Sequence, residues 1–123
     1  MSLTNITFEN IYGGSDSTAT LNFRGAANSD FHIKDITFIN AFATLPLIHI
    51  NSGDVYSLEN IYFVNCTIDN SAYIQIDDGD QITINNMEFE DSVVTGTFPV
   101  DVIKIVSLLN LYFRPVTPIQ LQL

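Results

Sequence analysis

Five copies of one pattern, an alternating motif between them and a near-constant step from copy to copy predict an all-β solenoid, a right-handed parallel β-helix of about five coils. The copies are SLTNITFEN at 2–10, HIKDITFIN at 32–40, SLENIYFVN at 57–65, TINNMEFED at 83–91 and SLLNLYFRP at 107–115. Their first apolar residues, Leu3, Ile33, Leu58, Ile84 and Leu108, stand 30, 25, 26 and 24 residues apart. Stacking such turns about 4.8 Å apart places each inward side chain over its equivalent in the next turn.

Within the first motif three further columns align behind those aliphatics. They are a polar corner (Asn5, Asp35, Asn60, Asn86, Asn110), a second aliphatic (Ile6, Ile36, Ile61, Met87, Leu111) and an aromatic (Phe8, Phe38, Phe63, Phe89, Phe113). The inward parity shifts by one at the corner, as expected of a bend at a residue that tolerates left-handed backbone angles. The corner therefore divides the first motif into two arms. Stacked corner amides can hydrogen-bond along the axis, and stacked Phe rings fill the interior.

The second motif reads TLNFRG at 20–25, LIHINSG at 47–53, YIQIDDG at 73–79 and VIKIVS at 102–107. Leu21/Phe23, Ile48/Ile50, Ile74/Ile76 and Ile103/Ile105 alternate with Asn22, His49, Gln75 and Lys104, the period of a half-buried strand. A leucine-rich repeat is the main rival, since Leu3, Ile6, Phe8 and Asn10 nearly match its pattern. The Asn comes one residue early, and the remainder of each repeat alternates as a strand instead of spacing Leu as a helix.

The 123 residues suit one domain, 1–123, and 46% hydrophobic residues with 15% charged argue against disorder. Four Lys plus Arg against fourteen Asp plus Glu, net −10, disfavour nucleic acid and anionic membrane as partners and favour cations or basic surfaces. The lone cysteine, Cys66, excludes an internal disulfide and a cysteine-based zinc site, and reads as a small buried residue. No basic leader opens the sequence and no apolar run approaches the roughly 20 residues of a membrane span, so this segment is expected to make no membrane contact.

With its aliphatic, Asn, aliphatic, Phe, Asn columns, the chain resembles the right-handed β-helices of the pectin-lyase-like superfamily over essentially its whole length. The resemblance implies that any polysaccharide would lie along the outer face of one sheet. Here that face is Asn22, His49, Gln75 and Lys104, continuing to Arg24, Asn51 and Asp77. The likeness to the polygalacturonase branch is limited to Asp77-Asp78 beside a histidine one coil away. The Gly-His-Gly and Arg-x-Lys motifs of that branch are absent, as is the arginine and calcium-carboxylate set of a pectate lyase. No catalytic residue is assigned, and the chain reads closer to repetitive surface proteins than to enzymes.

The turns Asn51-Ser52-Gly53-Asp54 and Asp77-Asp78-Gly79-Asp80 are offset by 26 residues, one coil, so Asp54 should stack near Asp80 and Asn51 near Asp77. Oxygens of Asp54, Asp77, Asp78 and Asp80 are the candidate calcium ligands, set against ordinary Gly and Asp turns. No cofactor is required. The sequons at Asn5 and Asn65 fall in repeat columns, where a glycan would disrupt stacking, and read as by-products of the repeat. Residues 13–18 read as a solvent loop. An apolar island at Ile39, Tyr62 and Val64 interrupts the outward columns.

No cap is visible in the sequence, so the expectation is a segment of a larger repetitive protein, or a subunit stacked end to end on another copy. The expected role is a non-catalytic structural or adhesive module, extracellular or at the cell surface, working through its solenoid ends. The alternative is a carbohydrate-binding or polysaccharide hydrolase or lyase-like domain using the face around His49 and Asp77.

Overall fold

Parallel pairing follows from the repeat itself: equivalent segments one coil apart lie side by side, and the computed structural model shows this throughout. It describes residues 1–13, 21–24, 29–52, 54–95, 103–105, 110–114 and 121–122; Gly13 and, Ile103 apart, the last three stretches are described by backbone alone. Each coil opens on a long strand: β1 (Ser2–Glu9), β4 (Asp30–Ile39), β7 (Val55–Val64) and β10 (Gln81–Glu90), with β13 (Asn110–Arg114) beyond them. Short strands follow, β2 (Tyr12–Gly13), β5 (Phe42–Ala43), β8 (Thr67–Asp69) and β11 (Val93–Thr95). The coil closes on the alternating motif, as β3 (Leu21–Arg24), β6 (Ile48–Ser52), β9 (Ile74–Ile76) and β12 (Ile103–Ile105), with β14 (Leu121–Gln122) beside β12.

The three sheets run β1-β4-β7-β10-β13, β2-β5-β8-β11 and β3-β6-β9-β12-β14. Strands β4 to β12 make a β-solenoid of about three turns in which every strand except β11 is paired on both sides. Among the described residues there is no helix, and none that is long and apolar enough to cross a membrane.

The corner column behaves as its residue type requires. Asn5, Asp35, Asn60 and Asn86 have φ of 58, 56, 56 and 60°, the left-handed region that Asn and Asp reach most cheaply after glycine. The same holds at the end of the motif, where Asn10, Asn40, Asn65 and Asp91 have φ of 57, 54, 51 and 49°. The first bend does not end the strand. It turns the inward parity within one long strand, so that Tyr56 and Leu58 are buried before Asn60, and Ile61 and Phe63 after it. Side-chain amides link the coils: Asn60 donates to Asp35 Oδ1 at 2.7 Å, Asn86 to Asn60 Oδ1 at 2.5 Å, and Asn65 to Asn40 Oδ1 at 2.7 Å.

Phe8, Phe38, Phe63 and Phe89 stack face to face, with ring centroids 5.0, 5.3 and 4.8 Å apart. Around them Ile33, Ile36, Leu58, Ile61, Ile84 and Met87 of the long strands are buried in a core shared with the other two sheets. Tyr73 closes the stack edge-on against Phe63 and Phe89, and its hydroxyl lies 2.9 Å from the Cys66 carbonyl and 2.8 Å from that of Val93.

Burial pushes the Tyr73 phenol far above its ordinary value and raises the Cys66 thiol; burial, then the nearby charges of Asp54 and Asp78, raise Tyr56. These groups keep their protons when folded, while the unfolded chain releases them from about pH 9 upward. Their contribution is therefore complete at neutral pH and lost as pH rises. Tyr73→Phe should cost about 1–2 kcal/mol at neutral pH through the lost hydroxyl bonds. It should also flatten the alkaline decline, which urea midpoints measured up to about pH 11 would show; an unchanged slope would remove Tyr73 as a source.

Two expectations are corrected. The two arms of the first motif do not form separate strands: they make one long strand, and the turn's third strand is the short run after the second Asn (β2, β5, β8, β11), only two or three residues long. The fifth copy also departs from the repeat phase: Phe113 pairs with Ile84 and Asn110 with Gln81, not with Phe89 and Asn86. Connection length decides this. Leu111 stands six positions after Ile105, as Ile82 does after Ile76 and Tyr56 after Ile50, so Leu111 arrives beside Ile82. Reaching the repeat phase would require five more residues in that connection. Leu108, Ser107 and residues 14–18 lie outside the described residues.

Candidate functional site

The outer face of β3, β6 and β9 is polar because those strands alternate. Their inward residues Phe23, Ile48, Ile50, Ile74 and Ile76 are buried, which turns Asn22, His49 and Gln75 outward. Register aligns Asn22 with His49, His49 with Gln75, and Gln75 with Lys104. Asp77 follows directly on β9, its backbone N–H donating to the Ile50 carbonyl at 2.8 Å.

Asp77 turns its carboxylate back onto this face. Oδ2 lies 2.7 Å from His49 Nε2, and Oδ1 accepts from Gln75 Nε2 at 2.8 Å. The His49 and Asp77 side chains are 21% and 31% exposed, so the pair is open to a solute. Asn51 does not join it. Its amide donates to Asn22 Oδ1 at 3.0 Å, one coil the other way. Asp77, expected by coil spacing near Asn51, bonds His49, while the Asn51 side chain pairs with Asn22; coil spacing alone does not tell a side chain whether to reach forward or back. A bulge between Phe23 and Arg24 sets Arg24 against Ser52.

Chemically this is a flat array of amides, an imidazole and a carboxylate whose oxygens are both engaged. Such an array suits hydrogen-bonding a polyhydroxylated ligand. Glycoside hydrolysis needs two carboxyl groups flanking one bond, and Asp77 is held between His49 and Gln75 while Asp78 is exposed on the following turn. His49→Ala should change stability by less than about 1 kcal/mol, because a partly exposed pair gains little net energy; a loss several times larger by urea titration would show that the pair supports the fold.

The acidic turns stack as expected in part. The backbone N–H groups of Asp80 and Gln81 donate to the Asp54 carbonyl at 3.1 and 2.9 Å, which sets Asp54 beside Asp80. Among the described residues no group of three or more His, Cys, Asp or Glu side chains is arranged to hold a metal ion. The sequon asparagines Asn5 and Asn65 are both exposed, and Asn65 is engaged in the corner ladder. The chain matches no family model, no curated protein and no solved structure.

Proposed function

We propose that this chain is a structural or adhesive module of an extracellular or surface protein, a right-handed β-helix of about five coils that works through its ends, with no cofactor required. On this reading it is a divergent relative of the pectin-lyase-like β-helices, nearer to their repetitive surface proteins than to their enzymes. One observation carries the proposal. Leu3, Ile6 and Phe8 on β1 are only half-buried, whereas the residues one coil on, Ile33, Ile36 and Phe38, are 1, 0 and 0% exposed. Among the described strands β1 has one neighbour, β4, so its other edge offers backbone donors and acceptors together with an incomplete apolar column.

That edge is where a further coil or a second copy stacks. Sedimentation over a wide concentration range should show association that Ile6→Lys weakens; a monomer at every concentration would contradict the proposal. Calcium at Asp54, Asp77, Asp78 and Asp80 would appear as a rise in Tm with millimolar Ca²⁺ that Asp78→Asn with Asp80→Asn abolishes.

A second reading rests on the His49, Asp77 and Gln75 contacts: carbohydrate lying along the outer face from Asn22 to Lys104. Saturable binding to polygalacturonate that Asp77→Asn weakens would favour it over the structural role, and reducing ends released and lost in the same variant would extend it to hydrolysis.

A further inference from the structure

Between β7 and β10 the outer face holds a cleft of about 140 Å³ lined by Tyr62, Phe63, Val64, Glu88, Phe89 and Glu90. Its two carboxylates lie two residues apart on one strand face, and neither has a basic partner among the described residues. Tyr62 is fixed at the cleft by the Asn86 amide, which donates to its hydroxyl at 3.3 Å. Phe63 and Phe89 turn their rings inward, so the outer lining is the Tyr62 ring and Val64 beside the two carboxylates, which matches a guanidinium on an alkyl stem. The planar cation can bond both carboxylates and lie on an aromatic face while the stem covers Val64.

A second feature adjoins it across the Asp91 corner. Exposed large apolar side chains among the described residues are Met1, Tyr12, Phe42 and Val93, and the last three stand in one register column through Thr67. Tyr12 is 81% exposed and stacks on Phe42 at 5.4 Å. Apolar exposure gathered into one column, rather than scattered singly, marks an interaction surface.

We propose that the cleft and this column form a lateral docking surface for an arginine-bearing, apolar segment of a basic partner protein. The guanidinium sits between Glu88 and Glu90, and neighbouring apolar side chains lie over Phe42 and Val93. Charge selects this occupant: a chain of net charge −10 repels nucleic acid and anionic lipid, and a second copy offers only two arginines, Arg24 and Arg114, to this face. The surface is on the side of the solenoid and does not depend on the reading of its ends.

The test is fluorescence anisotropy of a short labelled peptide alternating Leu and Arg, titrated with the full chain at physiological salt. Saturable binding is expected. It should weaken about tenfold or more in Glu88→Gln with Glu90→Gln, and measurably in Phe42→Ser. It should stay within about twofold in Asp30→Asn with Glu59→Gln, which removes equal charge elsewhere. Far-UV circular dichroism checks that each variant is folded. No binding, equal weakening by both charge pairs, equal affinity for the same peptide with citrulline in place of Arg, or displacement by a neutral glucan would each overturn the proposal.

Discussion

Phe63→Ala should destabilise the protein by about 3–5 kcal/mol, the range for deleting a fully buried aromatic whose cavity only partly collapses. Phe63 is 0% exposed, stacks on both Phe38 and Phe89 and meets Tyr73 edge-on. Its loss opens the column at its middle, where parallel coils on both sides hold the backbone apart and restrict collapse. Phe8→Ala should cost clearly less, since Phe8 stacks on one side only in the described residues and is half-buried. Urea denaturation of the two variants gives the comparison; equal losses would mean that the column is not layered by coil.

Asn60→Val should cost about 2–5 kcal/mol, from two separable sources. A β-branched residue at φ 56° is penalised by roughly 1–2 kcal/mol. The substitution also removes the amide that donates to Asp35 and accepts from Asn86, each such bond contributing about 0.5–1.5 kcal/mol. Asn60→Gly keeps the backbone angle and loses only the ladder, so it should cost about half as much. Thermal melts of both variants separate the terms. If Gly proved as harmful as Val, backbone angle would not be what selects Asn here.

Much of the architecture was legible because a solenoid repeats its constraints. Asn5, Asp35, Asn60 and Asn86 recur at a fixed phase before an aliphatic and a Phe, and one parity shift implied one left-handed bend in every coil. The β6 and β9 strands were equally legible, since Ile-x-Ile alternation leaves no helical reading. Phe42–Ala43 was not: two residues cannot display a period, and its strand exists because the coils above and below supply its hydrogen bonds. Phe113 misled for another reason. Its motif repeats the pattern, yet the four residues between Ile105 and Asn110 fix its place beside Ile84. Chain length between elements is a stronger constraint on register than local likeness, because a connection cannot span a corner it is too short to cross.

At the candidate site, coil arithmetic brought His49 to Gln75 and Asp54 to Asp80, because both are backbone consequences of stacking. It could not give the turn of the Asp77 side chain onto Gln75, a rotamer choice made by local hydrogen bonds. Nor does any sequence period mark Tyr12, Phe42 and Val93 as one exposed column, since their alignment depends on the short sheet that two- and three-residue strands build.

The most direct test of the account is the pairing of the long strands, read from backbone proton contacts by nuclear magnetic resonance. Parallel, in-register stacking predicts contacts joining Ile36 with Ile61 and Ile61 with Met87, and Phe38 with Phe63 and Phe63 with Phe89, each about one coil apart in sequence. Antiparallel contacts between successive strands such as β6 and β7, as in a chain of hairpins, would contradict it.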